Sequence, residues 1–369
     1  MDRIVPVMTP LITDRVLNRT TLHRQLLTHR LPLTVPEALR RLLGVQAQES
    51  NAPYLGLWTR LSGFRLDDLT AAREAREAVR GSTLRGTQHV HAADDYPWLR
   101  PLVAPVLLRG RQSAFGTRTV GLDLDELARR GAQLLSGRTM TRSRLRDELA
   151  PHFPGVPPEA LGWSAQAVLA VVHPPPNGCW RRGGATPFAL AEEYLGTPMH
   201  DRPDPARLVR RYLAAFGPAT VADMQSFSGV RGLSEVVDGM GLRRYRGASG
   251  AELFDLPDAP LADADTPAPV RLLPDFDNLM VAYADRRRVM SDAVRAKVCV
   301  GAMIAATVLV DGRVRASWTI RLRRDEAVLE ITPLEPLSRT DRDAVHAEAA
   351  ALLEFAAPDV DGRRLHFHD

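Results

Sequence analysis

Two glutamines one residue apart, Gln46 and Gln48, are the side chains whose type and spacing first suggest chemistry. In an extended segment, residues i and i+2 project to the same side. Each carboxamide carries an oxygen acceptor and an NH2 donor, so the pair can position one water molecule. An amide is hardly basic, so the pair suits hydrolysis of a substrate whose leaving group is already activated. Polar loops that do no chemistry have the same spacing, and that reading stays open. Glu49 follows, with its side chain expected on the opposite side. It is available to stabilise a cationic centre or simply to meet solvent.

Other groups offer less. His89 and His91 alternate along a strand-like stretch near Asp94 and Asp95, but no HExxH or CxxC accompanies them. Hydrogen-bonded structural histidines, or a contact to phosphate, are the expectation, and no metal site is expected. Asp275 and Asp277 form a second i, i+2 pair, read as a structural turn with a catalytic role as the alternative. Cys179 and Cys299 are too few for a disulfide framework or a cysteine zinc site. There is no Walker A loop, no GxGxxG at a strand–helix junction and no GxSxG, so no cofactor is expected. Lysine occurs once, at Lys297, and any Schiff-base mechanism has only that residue to draw on.

The elements that position these residues read as three repeated helical modules and a strand-rich end. Pro36 to Gly44 reads as a helix ending at the glycine, with an earlier helix capped by Asn18. Asn51–Tyr54 reads as a break, Leu66–Arg80 as a helix and Ser82–His91 as a strand. A second series comprises Leu124–Leu135, the basic helix Arg142–Leu149, a helix over Ala160–Val172 and a Gly-bearing basic hairpin with Arg181 and Arg182. Helix, turn, helix and basic hairpin is the order of a winged helix-turn-helix. Pro205–Phe216, Thr220–Phe227, Leu233–Met240 and a strand pair carrying Arg243 and Arg244 repeat it. From Arg271 onward, Asp311-Gly312 predicts one hairpin turn, and a second turn carries Arg321, Arg323 and Arg324. Helix Arg339–Phe355 follows.

The fold class is therefore α+β: tandem winged-helix modules, three by this count, with a C-terminal β-rich hairpin region. The divisions are 10–120, 121–200, 201–260 and 261–369. With 369 residues, 45% hydrophobic and 25% charged, the chain can pack a core. Of its 48 basic residues all but Lys297 are arginine, although the net charge is only +4. Clusters at Arg142 and Arg144, Arg181 and Arg182, Arg243 and Arg244, and Arg321, Arg323 and Arg324 point to a surface that tracks DNA phosphates. No apolar run approaches the ~20 residues of a membrane span. Met1-Asp2-Arg3-Ile4 lacks the pattern of a secretory leader. A cytoplasmic, nucleoid-associated protein is expected.

Four segments carry a family resemblance. They are Leu43–Gln48 with Pro53–Trp58, Leu84–His91 with Asp94–Leu99, Tyr212–Gly229, and Leu272–Leu279. Together they resemble the AlkZ-type winged-helix DNA glycosylases, a family that includes crosslink-unhooking enzymes of azinomycin resistance. The resemblance implies a monofunctional DNA glycosylase acting on double-stranded DNA with N7-alkylated purines, bulky adducts or interstrand crosslinks, in base excision repair or antibiotic self-resistance. It implies tandem winged helices around a concave DNA channel, and Gln46 and Gln48 as catalytic residues. A related branch carries Gln-x-Asp at this motif. Judged on the modules alone, a non-enzymatic DNA-binding regulator, or a protein that binds damage or a drug, remains the alternative.

Overall fold

The computed structural model describes residues 9–368, so Met1–Ile4 lies outside the described residues. One order of elements recurs along the chain. Helix Val35–Leu42 is followed by strand Val45–Gln46, helices Ala52–Trp58 and Leu66–Glu74, and the antiparallel strands Ala78–Ser82 and Gln88–Ala92. Residues 124–190 repeat it with Leu124–Leu135, Met140–Thr141, Arg142–Leu149, Pro158–Val168 and the paired strands Val171–Val172 and Pro187–Leu190. Residues 205–255 do so again with Pro205–Phe216, Val221–Ser228, Leu233–Asp238 and the pair Arg243–Gly247 and Glu252–Asp255. There a single bridge, Ala219 to Phe254, takes the place of the short strand.

Local signals explain these boundaries. Thr34 caps its helix in a reciprocal box with Glu37, and Thr220 does the same with Asp223. Asp123 and Thr141 cap theirs singly. Several sequence expectations are corrected. Thr13, not Asn18, caps helix Asp14–Arg24, and Asn18 is buried in its middle, donating to the carbonyls of Arg288 and Gly312. Asn51–Tyr54 opens helix Ala52–Trp58 instead of breaking the chain, because proline is tolerated in a first turn. The helix expected to Arg80 ends at Glu74, and residues 78–80 enter a strand. The strand expected over Ser82–His91 is interrupted by a turn at residues 83–87. The helix expected to reach Val172 stops at Val168, and Val171–Val172 is a strand.

The first two units share one six-stranded sheet, joined where Gly81 pairs with Val172, and Val45–Gln46 lies at its edge. The C-terminal region is a five-stranded sheet ordered Arg271–Leu273, Thr307–Val310, Arg313–Leu322, Glu326–Pro333, Gly362–Phe367. Its last two strands are parallel, which requires a long crossover. Helix Arg339–Ala356 supplies it, burying Val345, Ala349, Leu352, Leu353 and Ala356 against the sheet. Leu55 of the first unit enters that core, and Trp58 stacks on Phe355 at 5.7 Å. The strand holding Gln46 is thereby fixed to both the second unit and the C-terminal sheet. No described helix is long and apolar enough to cross a membrane.

Candidate active site

The glutamine pair stands at the end of the edge strand. Gln46 pairs with His89 in register, and the amide of Ala47 donates to the Gln88 carbonyl at 2.7 Å. Gln46 is 6% exposed, while Gln48 is open to solvent. Arg85, in the turn between strands Ala78–Ser82 and Gln88–Ala92, donates from Nη2 to Gln46 Oε1 at 2.7 Å. The same Nη2 lies 3.3 Å from His89 Nε2. Burial holds His89 well below the usual histidine pKa. Its Nδ1 faces the Thr87 carbonyl at 3.1 Å, so Nδ1 carries the proton and Nε2 accepts from Arg85. Arg85 Nη1 donates to the Phe227 carbonyl at 2.5 Å, with its guanidinium 5.1 Å from the Phe227 ring centre. Burial lowers the Arg85 pKa to about 10, still charged at neutral pH.

His91 has a different role. Its Nε2 lies 2.8 Å from Thr83 Oγ1, its ring stacks on His89 at 5.6 Å, and burial drops its pKa to about 4. The carboxylates that suggested a metal set are engaged elsewhere. Asp94 pairs with Arg40, and Asp95 pairs with Arg211. Among the described residues no group of three or more such ligands could hold a metal ion.

The loop after Val172 packs beside the pair. Arg80 donates to the carbonyl of Ala47, the residue between the glutamines, at 3.2 and 3.1 Å, and to Asn177 Oδ1 at 2.9 Å. Arg73 holds the same loop through the carbonyls of His173 and Asn177. The Ser50 hydroxyl meets the Arg182 carbonyl, and the Arg181 amide donates to Asn51 Oδ1 at 2.8 Å. Arg181 in turn reaches the Arg323 carbonyl at 3.5 Å. Gln46, Gln48, Arg181, Arg182 and Arg323 thus converge from three distant parts of the chain. Arg181, Arg182, Arg323 and Arg324 are exposed, and no ion pair engages them among the described residues.

The other basic candidates are not brought to the pair by any contact. Arg142 covers the half-exposed Trp163 at 3.7 Å. Arg144 pairs with Glu148, Arg244 with Glu252, and Arg321 with Glu330. Arg243 lies over Tyr245. The two aspartates part company as well. Asp277 is buried in a two-pronged ion pair with Arg60, both bonds 2.8 Å, and caps helix Asn278–Val281. Asp275 accepts from the Ala306 amide at 3.0 Å. Its carboxyl pKa is raised by burial and, secondarily, by the charge of Glu49. Sequence reasoning missed Arg85 and Arg80. In a chain this rich in arginine, nothing local marks a buried arginine from a solvated one.

The family described as DNA glycosylase AlkZ-like matches residues 39–355. Among solved structures, the Streptomyces sahachiroi DNA glycosylase AlkZ superposes with a TM-score of 0.80 at 23% identity, covering 97% of this chain and 100% of that one. No curated protein matches.

Proposed function

The chain belongs to the AlkZ-like DNA glycosylase family, and from that premise we propose a monofunctional glycosylase that hydrolyses the N-glycosidic bond of N7-alkylated purines, including bulky adducts and interstrand crosslinks. The three repeated units are read as winged helices over 10–120, 121–200 and 201–260, with 261–369 completing a concave channel for double-stranded DNA. The carrying observation is that the segment holding the Arg85-bound Gln46 and the exposed Gln48 is in direct contact with the loop of Arg181 and Arg182, which in turn contacts Arg323.

The chemistry fits this set. An N7-alkylated purine is cationic, and its departure leaves positive charge on the sugar, as in glycoside hydrolysis. Gln46 and Gln48 hold the attacking water. Proximity and orientation supply most of the acceleration, and the carboxylates of Glu49 and Asp275 favour the sugar cation. Arg142, Arg144, Arg181, Arg182, Arg243, Arg244, Arg321, Arg323 and Arg324 contact phosphates. A crosslinked base cannot leave the duplex fully, so an open channel serves better than a closed single-base pocket. The neighbouring tips at Arg181-Arg182 and Arg323-Arg324 are the two candidates for groove insertion.

Lyase chemistry needs an amine. Lys297 is exposed on helix Asp292–Val298, and its contact is with the Leu334 carbonyl. Product strands should therefore stay intact until alkali is added, and a borohydride-trapped adduct at Lys297 would contradict this. The decisive experiment is release of N7-methylguanine, and unhooking of a crosslink, from duplex DNA. Replacing both Gln46 and Gln48 by alanine should abolish release with DNA affinity kept within a few-fold. Full activity in that variant removes the pair from the mechanism.

A further inference from the structure

The hydrogen-bond partners of the two carboxamides divide their roles. A guanidinium has only donors, so the Gln46 atom that faces Arg85 must be the oxygen. The atom of Gln48 that faces the Gln88 amide must be an oxygen for the same reason. Each glutamine in this resting arrangement therefore commits its oxygen and leaves its NH2 group uncommitted, and neither NH2 meets an acceptor among the described residues. A nucleophilic water has two lone pairs and two O–H groups. One lone pair must stay free to form the C1′–O bond. If both amides donated to that water, no lone pair would remain, so the two glutamines cannot act alike.

Their tethers differ in the way this requires. The Arg85–Gln46 bond is charge-assisted and 2.7 Å long. Arg85 is itself held by Phe227, and its Nη2 is also fixed by His89. Its backbone sits at φ +55°, a left-handed conformation that favours glycine. The Gln48 bond to the Gln88 amide is 3.4 Å, beyond the usual range. One carboxamide is locked and the other is free to turn.

We propose that Arg85 is a positioning residue that locks Gln46 as the donor to the attacking water, and that Gln48 turns to accept one of that water's protons. This rests on the glycosylase reading above. The water then takes one hydrogen bond from Gln46 Nε2, gives one to Gln48 Oε1, and directs its second lone pair at C1′. The C1′–N9 bond breaks with its electron pair passing to the purine, which leaves neutral at N7. The C1′–O bond forms, and the excess proton leaves to bulk water, because an amide cannot hold it. The guanidinium also ties this strand to the Phe227 carbonyl of the third unit, so the docking of that unit bears directly on the orientation of Gln46.

Carboxylate substitution separates the two roles, using the full-length protein and single-turnover release of N7-methylguanine. Gln46→Glu keeps an oxygen for Arg85 but loses the donor, and should lower the rate about 10²-fold. Gln48→Glu keeps the acceptor and should lower the rate at least about 10-fold less than Gln46→Glu does. The reverse pattern, or equal losses, overturns the division. Arg85→Gly suits the left-handed backbone and should lower kcat about 10- to 100-fold with little change in KM. Added guanidinium should restore much of that loss, but restore nothing when Gln46→Ala is also present. A parental kcat in Arg85→Gly, or a loss that guanidinium does not restore, refutes the positioning role. If Arg85→Gly does not fold, the carboxylate pair alone decides. Full activity in Gln46→Ala with Gln48→Ala would instead defeat the underlying glycosylase-site reading, a result distinct from either of these.

Discussion

Gly44→Ala probes how the glutamine strand is held in place. Gly44 lies at φ +82°, immediately before Val45–Gln46. A Cβ there would stand 2.2 Å from His91 Nδ1 and 2.9 Å from the Val90 carbonyl oxygen. His91 has little freedom to retreat, since it is fully buried, close to Thr83 Oγ1 and stacked on His89. The strand cannot easily back away either, because Asn278 Nδ2 donates to the Gly44 carbonyl at 2.7 Å. A left-handed alanine costs about 1–2 kcal/mol. Displacing a buried, hydrogen-bonded histidine adds roughly 1–3 kcal/mol. The total is about 2–5 kcal/mol, and any strand shift that relieves it moves Gln46 off Arg85. Urea unfolding should show the destabilisation, and base release should fall by more than the unfolded fraction explains. Adding His91→Ala removes the side-chain clash but not the backbone term or the Val90 contact. The double variant should therefore be less destabilised than the sum of the singles by about 1 kcal/mol or more. Strict additivity, or Gly44→Ala within about 0.5 kcal/mol of the parent, would refute this packing account.

Acid should weaken the fold through the buried histidines His89, His91 and His173, all held below the usual histidine pKa by burial. His91 and His173 have folded pKa values of about 4 and about 3, against 6.5 when exposed. The unfolded chain binds protons that the folded chain refuses as pH drops below 6.5. Stability then declines toward those folded values by up to about 1.4 kcal/mol per pH unit for each histidine. Urea midpoints measured from pH 7 to 4 test this, and His91→Gln or His173→Gln should flatten the decline. Asp275 titrates above the usual carboxylate range because it is buried near Glu49. Lowering the pH should thus silence its charge early, and Asp275→Asn should remove that acid limb from the pH profile of base release. Asp277→Asn leaves the Arg60 guanidinium buried without its counter-charge, and should cost about 3–5 kcal/mol in denaturant unfolding. Adding Arg60→Met should recover part of that loss.

What the sequence alone determined was local. The helix starts expected at Leu124, Arg142 and Thr220 rest on local residue types, and the structure has helices beginning at Leu124, Arg142 and Val221. Asp311-Gly312 marks a hairpin that forms between Thr307–Val310 and Arg313–Leu322. Gln46 and Gln48 were visible as a pair because residue type and spacing within one short segment are read directly from the sequence. Asn18 misled because a capping residue type says nothing about whether the preceding turn has already begun. Asn51–Tyr54 misled because proline both breaks helices and opens them. Tertiary structure decided which charges are buried and what they hold. Arg85 meets a carbonyl 142 positions away, and Arg60 meets Asp277 across 217 positions. The same arginine side chain is a solvated cation on one surface and a fixed, desolvated donor in another setting. That difference comes from long-range packing, which excludes water and supplies the acceptors, and no local pattern of residues encodes it.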